Sequence, residues 1–346
     1  MDAKRSCVAT QLLAWYDVHR RDLPWRARAG EVADPYRVWL SEVMLQQTTV
    51  AAVRSRFASW VARWPTFAAL AAADEADVMA AWAGLGYYAR ARNLVAAAKT
   101  VVALHDGEFP RTEAALRTLP GLGAYTAAAV AAIAFGERAV VVDANVERVV
   151  ARLFAIATPL PAARVAIRAA ADTITPDARA GDFAQAAMDL GSAICTPRAP
   201  KCLLCPLRPS CAAFAQGTPE AFPVKAKKRA KPQRYGTIFW LMRGDDVLLV
   251  RRPDKGLLGG MRALPTGDWA DAPPGLDQAP AQADWHVFAP TISHGFTHFD
   301  LELALAVARV EAHLPGDWWP VATLGSAGLP TVFAKAAAAI RKEMAR

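Results

Sequence analysis

The segment CTPRAPKCLLCPLRPSC, residues 195–211, places four cysteines in one short loop. Their spacing is Cys195-x6-Cys202-x2-Cys205-x5-Cys211. Four thiolates suit either a tetrahedral zinc ion or a [4Fe–4S] cluster, but structural zinc sites usually consist of two separate short knuckles. Only Cys202 and Cys205 form such a knuckle here, so the spacing favours a single iron–sulfur centre. Zinc stays open as the alternative, and disulfides are less favoured because no secretory signal indicates an oxidising compartment.

Length and charge limit the class of protein. The chain has 346 residues and a net charge of +8, and this length predicts two or three domains. The positive excess lies within residues 1–234, whereas the last third is slightly acidic, which indicates a polyanionic partner for the first part. No apolar run approaches the roughly 20 residues that span a bilayer. We therefore expect a soluble cytoplasmic protein without a membrane partner.

The character of the sequence changes twice along the chain. From Ser6 to about Gln216, alanine-rich patterns of helical period are broken by short turns, which predicts an all-helical domain over residues 1–218. A Pro- and Lys-containing segment, residues 219–234, is predicted to be a basic linker. Strand-like runs and a final helical stretch then predict a small α+β domain over residues 235–346. The predicted fold class is therefore multi-domain.

Two glycines, Gly121 and Gly123, lie in the segment LPGLGAYT, residues 119–126, just before an alanine-rich helix. Glycine lets the backbone approach a phosphate closely, and a helix N-terminus adds a favourable partial charge. The segment is therefore a candidate phosphate-binding hairpin. For this motif alone, an ordinary helix–turn–helix corner is the simpler interpretation.

Two carboxylates have the sequence context of an acid and an anion. Asp143 ends an apolar run directly before a predicted helix, where an N-cap position keeps a carboxylate ionised. Glu42 lies in an otherwise apolar helix, and apolar surroundings raise the pKa of a carboxyl group towards the range of a general acid. Such a pair can break a glycosidic bond through an oxocarbenium-ion-like transition state. Taken singly, a capping aspartate and a solvated glutamate remain open alternatives.

Together these segments resemble the MutY-type adenine DNA glycosylases, an endonuclease III-like helix-hairpin-helix family with a C-terminal domain similar to the Nudix hydrolase MutT. The resemblance extends over essentially the whole chain. It implies an all-α helix-hairpin-helix glycosylase domain with an iron–sulfur cluster loop, followed by an α+β Nudix-like domain. Besides the cysteine loop and the hairpin, the matching segments are LPWR (23–26), SEVMLQQT (41–48), GLGYYAR (84–90) and DANVER (143–148).

The resemblance also implies the layout and the activity. A six-helix barrel would occupy about residues 25–135, and a cluster subdomain would combine residues 1–24 with 136–218. The protein would act as a monomer on double-stranded DNA in the nucleoid, excise adenine paired with 8-oxoguanine or guanine by acid-catalysed hydrolysis, and leave an abasic site. This activity would prevent G:C to T:A transversions. A [4Fe–4S] cluster would be held by the four cysteines named above.

Residue roles follow from the same resemblance. Glu42 would protonate N7 of the extruded adenine and Asp143 would stabilise the sugar cation, with Tyr125 and Asn145 assisting. The implied adenine pocket consists of Leu23, Trp25, Arg26 and Gln185, and the implied DNA contacts are Gln47, Leu85, Tyr87, Gly121, Gly123, Phe296, Thr297 and His298.

Tyr125 occupies the position at which strand-nicking relatives carry a lysine that forms a Schiff base. A monofunctional glycosylase is therefore expected. In the last third, Thr297 replaces the serine of the family's Phe-Ser-His loop but keeps the hydroxyl, and the segment around Arg262 also departs from the family pattern. Three alternatives stay open: a nucleotide pyrophosphatase, a redox-sensing DNA-binding protein without chemistry, and a pyrimidine-lesion lyase. The first is disfavoured because residues 235–346 lack a glutamate cluster for magnesium.

Overall fold

The computed structural model describes residues 2–28, 30–82, 84–226, 230–253, 256–312 and 314–345. The chain forms two compact units, Met1–Lys227 and Lys228–Arg346. The predicted linker, 219–234, spans this boundary, and its residues 227–229 lie outside the described residues. None of the described helices has the length and apolar character that a bilayer crossing requires.

The first unit is helical. Several of its helices begin where the sequence supplies capping side chains: oxygens of Asp34, Thr49 and Thr112 accept backbone N–H groups in the first turns that follow them. The helices are α1 Asp2–His19, α2 Pro35–Met44, α3 Val50–Arg63, α4 Phe67–Ala71, α5 Glu75–Ala81, α6 Ala89–Leu104, α7 Glu113–Leu116, α8 Ala124–Phe135, α9 Ala144–Leu153, α10 Arg164–Ile174, α11 Ala180–Ala193 and α12 Ala212–Ala215.

Helix α8 lies at the centre of this unit because its alanines allow close packing on all sides. Residues 126–132 are buried, and the helix packs against α2, α7 and α11. A Cβ atom at Gly181 would lie 2.4 Å from the carbonyl oxygen of Ala132, so the backbones of α8 and α11 are in direct contact. Helix α1 packs against α10 and α11. The division of this unit into two subdomains stays a prediction.

The glycine segment forms a hairpin between α7 and α8. Gly121 has a φ of +75°, and a Cβ atom there would lie 2.5 Å from Cβ of Asn93. A side chain is therefore excluded at this position by both backbone conformation and space. Gly123 is the N-cap of α8 and leaves the N–H groups of the first turn without a side-chain cap. These N–H groups are available to an anion.

The second unit is a mixed sheet with a helix, α13, packed on it. The strand order is β3-β2-β1-β5-β4, and β6 pairs with β2. Strands β1 and β5 run parallel, whereas the other pairs run antiparallel. The predicted combination of an all-α and an α+β domain is therefore confirmed. The elements are β1 Gln233–Arg243, β2 Asp246–Arg251, β3 Arg262–Ala263, β4 His286–Gly295, β5 Asp300–Arg309, β6 Asp317–Pro320 and α13 Thr331–Met344.

Candidate active site

A cleft of about 920 Å³ opens in the first unit. Its walls come from segments that are far apart in the sequence: the residues before α2, the end of α2 with the following loop, the start of α8 and α9, and one face of α11. The fold therefore brings together all four predicted catalytic residues and all four predicted pocket residues. The predicted residues that line the cleft are Leu23, Trp25, Arg26, Glu42, Gln47, Tyr125, Asp143, Asn145 and Gln185.

Glu42 is a buried carboxyl group with a strongly perturbed acidity. It lies on α2 and is only 7% exposed. Burial raises the pKa of Glu42 to about 7; the hydrogen bond from Tyr125 and the charge of Arg26 oppose this rise, whereas Asp143 adds to it. A carboxyl group with this pKa is about half protonated at neutral pH and can act as a general acid.

Tyr125 lies at the start of α8 and holds this acid in place. Its hydroxyl group donates a hydrogen bond to Oε2 of Glu42. Burial and the nearby carboxylates raise the pKa of Tyr125 well above 10, so the phenol keeps its proton. Tyr125 therefore orients Glu42, which lines the cleft, through one of its two carboxyl oxygens.

Asp143 is the N-cap of α9, as the sequence predicted. Its Oδ1 accepts a hydrogen bond of 2.7 Å from the backbone N–H of Val146, and its Oδ2 accepts one of 2.8 Å from Nδ2 of Asn145. These two donors fix the carboxylate on the cleft wall, and the helix N-terminus stabilises its negative charge. The site thus contains one buried acid with a raised pKa and one carboxylate at a helix N-terminus.

Arg148 links Asn145 to the cysteine loop. Its Nη2 donates to Oδ1 of Asn145 at 2.9 Å and to the carbonyl of Gly191 at 2.7 Å, and its Nε donates to the carbonyl of Cys195 at 2.7 Å. Asn145 is held by Arg148 on one side while it holds Asp143 on the other. No role of Arg148 is predicted from the sequence. Its position three residues after Asn145 on one helix is the local feature that indicates their contact.

Asp189 is a second buried carboxylate that the sequence analysis missed. It lies on α11 and is 1% exposed. Both of its oxygens accept hydrogen bonds from Arg26, at 2.6 and 2.8 Å, and Oδ1 also accepts one of 2.5 Å from Nε of Arg21. These hydrogen bonds fix the orientation of Arg26, which is a predicted pocket residue. A carboxylate in an apolar helix was the same signal that identified Glu42.

Two predicted wedge residues share an unusual backbone conformation. Gln47 and Tyr87 are exposed and have positive φ angles of 55° and 49°. Non-glycine residues adopt this region only at a cost of order 1–3 kcal/mol. The guanidinium group of Arg90 donates to the carbonyl of Val43, near the end of α2, at 2.7 Å and to the carbonyl of Leu85, in the turn before Tyr87, at 2.8 Å. One side chain therefore ties the end of α2 to the turn that holds Tyr87.

The other predicted DNA contacts of this unit lie outside the cleft lining. Gly121 and Gly123 are exposed at the hairpin. Leu85, in contrast, is 5% exposed and belongs to the hydrophobic core. A contact between Leu85 and the lesion strand stays a prediction, and it would require this turn to rearrange.

The cysteine loop is organised around a buried arginine on α9. The four predicted ligands carry free thiols and are partly buried. Arg152 is 2% exposed; its Nη1 donates to Sγ of Cys195 at 3.3 Å and to the carbonyl of Thr196 at 2.7 Å. Burial raises the pKa of Cys205 to about 11, so a thiolate there requires a strongly positive partner.

The donor set consists of four cysteine thiols in one loop, which an iron–sulfur cube accepts. In a cube each thiolate binds a different iron, so the four sulfurs need not meet at one point. A buried arginine beside the sulfurs also suits a cluster that carries net negative charge.

In the second unit the predicted lesion loop connects β4 to β5. Phe296 is half-buried and stacks on Trp269 with ring centroids 5.4 Å apart, and its backbone N–H donates a hydrogen bond of 2.9 Å to the carbonyl of Phe299. Thr297 and His298 are exposed at the tip. The loop thus has an aromatic base and two polar side chains that are free to contact a ligand.

Comparison with known proteins agrees with this geometry. The family described as HhH-GPD superfamily base excision DNA repair protein matches residues 40–171, and the NUDIX domain family matches residues 237–339. Adenine DNA glycosylase of Homo sapiens is 38% identical over 75% of this chain, which spans 57% of the human protein. Adenine DNA glycosylase of Mycolicibacterium smegmatis is 45% identical over 62% of this chain and 73% of that protein.

A solved structure supports the fold assignment independently. A thermostable thymine-DNA glycosylase superposes with a TM-score of 0.56 and 30% identity, covering 62% of this chain and 98% of the other. The predicted helix-hairpin-helix domain and the predicted Nudix-like domain are therefore both confirmed.

Proposed function

We propose, because this chain belongs to the adenine DNA glycosylase family, that it removes mispaired adenine from double-stranded DNA by hydrolysis of the N-glycosidic bond. The single observation that carries this proposal is the pairing, in one cleft, of buried Glu42 with Asp143 at a helix N-terminus. Each carboxyl group is in the environment that its role requires.

In the first step Glu42 donates its proton to N7 of the extruded adenine. Protonation lets the base leave as a neutral molecule when the bond between C1′ and N9 breaks and its electron pair moves onto the base. Tyr125 supports this step because its hydrogen bond holds one oxygen of Glu42. Acid catalysis of this kind typically contributes about 10²- to 10⁴-fold to the rate.

In the second step Asp143 stabilises the positive charge that develops on the sugar. Its carboxylate is fixed by Asn145 and by the backbone of α9, so it need not reorganise as the charge develops. Water then adds to C1′, and the proton that this water releases is accepted by the carboxylate of Glu42, which restores the acid. The products are free adenine and an abasic site.

The rest of the cleft binds the extruded base. Leu23 and Trp25 supply apolar surface, while Arg26 and Gln185 supply polar groups at the same wall. Extrusion of the adenine from the duplex costs a few kcal/mol, and the cost is lowest at a mispair. Exposed Gln47 and Tyr87, which the resemblance assigns to the gap in the base stack, would offset part of this cost.

The side chains that line the cleft support a hydrolytic reaction over a lyase reaction, because a lyase needs an amine that can form a Schiff base. Among the described residues that line it, none is a lysine. Tyr125 cannot form a Schiff base. We therefore infer a monofunctional enzyme that leaves the DNA strand intact.

The finer parts of the proposal concern the lesion and the cluster. The turn of Phe296, Thr297 and His298 is assigned to recognition of 8-oxoguanine opposite the adenine. Cys195, Cys202, Cys205 and Cys211 would hold a [4Fe–4S] cluster, which when bound would tie together the loop beside Arg148 and Arg152. The monomeric state and the cytoplasmic, nucleoid-associated location also remain predictions.

The test is single-turnover cleavage of a labelled duplex with adenine opposite 8-oxoguanine, analysed with and without alkali. Strand breaks that appear only after alkali, on the adenine strand alone, are expected. Matched duplexes should contain adenine opposite guanine, adenine opposite thymine, thymine opposite guanine, and thymine glycol. Excision of thymine but not adenine would refute the substrate assignment, and breaks without alkali would refute the monofunctional mechanism.

A further inference from the structure

Asp189 forms the centre of a buried charge cluster at the edge of the cleft. It accepts two hydrogen bonds from the end of the Arg26 guanidinium, at 2.6 and 2.8 Å. Arg21 donates to the same carboxylate through Nε, at 2.5 Å, and through its backbone N–H, at 3.3 Å. The side chains of Asp189 and Arg26 are 1% and 7% exposed, whereas Arg21 is 33% exposed. Water therefore contributes little to balancing these charges.

The cluster acts on the acid through Arg26. The charged and titratable groups that influence Glu42 are Tyr125 on α8, Asp143 at the start of α9 and Arg26 from the segment before α2. Only Arg26 favours the ionised form of Glu42 through its charge. If Asp189 did not balance part of the positive charge at that position, the ionised form of Glu42 would be favoured more strongly, because a nearby opposite charge stabilises a carboxylate.

Asp189 prevents this by engaging the end of Arg26 with both oxygens. The two arginines and one carboxylate leave a single positive charge in excess, spread over a cluster of which Arg21 is the more exposed member. Bidentate binding also fixes the plane of the Arg26 guanidinium, and this plane forms part of the wall that faces the base.

We propose that Asp189 is a positioning residue that pairs with Arg26 and Arg21 so that Glu42 keeps its proton at neutral pH. The inference rests on the proposed function of Glu42 as the general acid. Asp189 itself has no direct contact with the reacting atoms in this assignment. Its effect is on the fraction of enzyme in which the acid is protonated and on the orientation of Arg26.

The first experiment compares the pH dependence of single-turnover adenine excision in the wild type and in Asp189→Asn. In the wild type the rate should fall as pH rises through about 7, because Glu42 loses its proton. In Asp189→Asn the midpoint of this fall should move down by about one pH unit. At pH 7.5 such a displacement lowers the protonated fraction, and with it the rate, by about eightfold. At pH 5 the two rates should differ much less.

A charge-balanced double variant separates this role from a merely structural one. Asp189→Asn with Arg21→Gln removes one negative and one positive charge and restores the single positive excess. Its midpoint should return towards that of the wild type, although the bidentate contact with Arg26 is still missing. Arg21→Gln alone should move the midpoint upward. Loss of packing or of folding at Asp189 would slow excision at every pH and would not be reversed by a second substitution.

Asp189→Glu serves as the variant to use when Asp189→Asn does not fold, because it keeps the carboxylate. The midpoint of its pH profile should stay at the wild-type value, because the charge is unchanged. Adenine binding should weaken, because the longer side chain displaces the Arg26 guanidinium. A wild-type midpoint in Asp189→Asn, or no recovery in the double variant, would overturn the inference while leaving the proposed function intact. Absence of adenine excision in the wild type at any pH would instead refute the proposed function.

Discussion

Replacement of Glu42 by glutamine should abolish base removal and at the same time stabilise the fold, by an amount that depends on pH. Burial raises the pKa of this carboxyl group from 4.5 to about 7. The folded state therefore holds the proton more tightly than the unfolded state does. Stability from this group is fully present below pH 4.5 and is lost as pH rises through about 7.

The size of the effect follows from that rise in pKa. Each pH unit corresponds to about 1.36 kcal/mol, so a rise of about 2.5 units amounts to about 3 kcal/mol at pH 8. Glutamine cannot ionise and can still accept the hydrogen bond from Tyr125. We therefore expect Glu42→Gln to match the wild type near pH 4.5 and to exceed its stability by about 3 kcal/mol at pH 8. For a unit of this size the gain corresponds to about 6–12 °C in melting temperature.

The assay is thermal unfolding of both proteins at several pH values between 4.5 and 8, with excision measured on the same samples. Glu108→Gln is the matched control, because Glu108 is exposed on the same unit; it should show no pH-dependent gain and full activity. A gain for Glu42→Gln that is equal at all pH values would refute the argument from buried charge. Full excision by the variant would refute the role of Glu42 as the acid.

Three further predictions concern the cluster loop, the lesion loop and the hairpin. The Cys202→Ser variant should lack the visible absorbance of the cluster and should also give less soluble protein. A folded, colourless and fully active variant would show that the cluster is dispensable. Replacement of Phe296 and His298 by alanine should lower the ratio of excision rates opposite 8-oxoguanine and guanine more than it slows excision, and an unchanged ratio would place lesion reading elsewhere. Gly121→Ala puts a Cβ atom 2.5 Å from a side-chain carbon of α6 at a φ of +75°, and should cost about 1–3 kcal/mol in unfolding experiments. Gly123→Ala, which meets open space, is its control, and equal melting temperatures would contradict the steric argument.

The architecture and most of the cleft could be predicted from the sequence because their signals are local. Helical periodicity, capping residues and the hairpin glycines depend on neighbours in the chain. Glu42 and Asp143 were each recognisable from a carboxylate placed in or after an apolar run. The resemblance then allowed such residues to be assigned to one site, which the structure brings together in the cleft.

The supporting contacts could not be predicted because they join distant segments. Asp189 meets Arg26 across 163 positions in the chain, and Arg148 reaches the carbonyl of Cys195 across 47. Nothing local indicates which arginine a buried aspartate will bind. Exposure was also difficult to predict at turns: Leu85 is in the core whereas Tyr87, two residues later, is exposed. Which side chains of a tight turn are buried depends on the residues against which the turn packs, and these are distant in the sequence.

The left-handed backbone of Gln47 and Tyr87 has a consequence for how this protein can be changed. Glycine would relieve the conformational cost at either position, so selection or engineering for thermal stability alone would favour it. Glycine would also remove the two side chains that are predicted to enter the gap in the base stack. A library screened only for melting temperature should therefore accumulate substitutions at these two positions and, on this prediction, lose excision activity. A second screen for activity would recover the strained residues, and comparison of the two outcomes would locate the positions where stability has been given up for function.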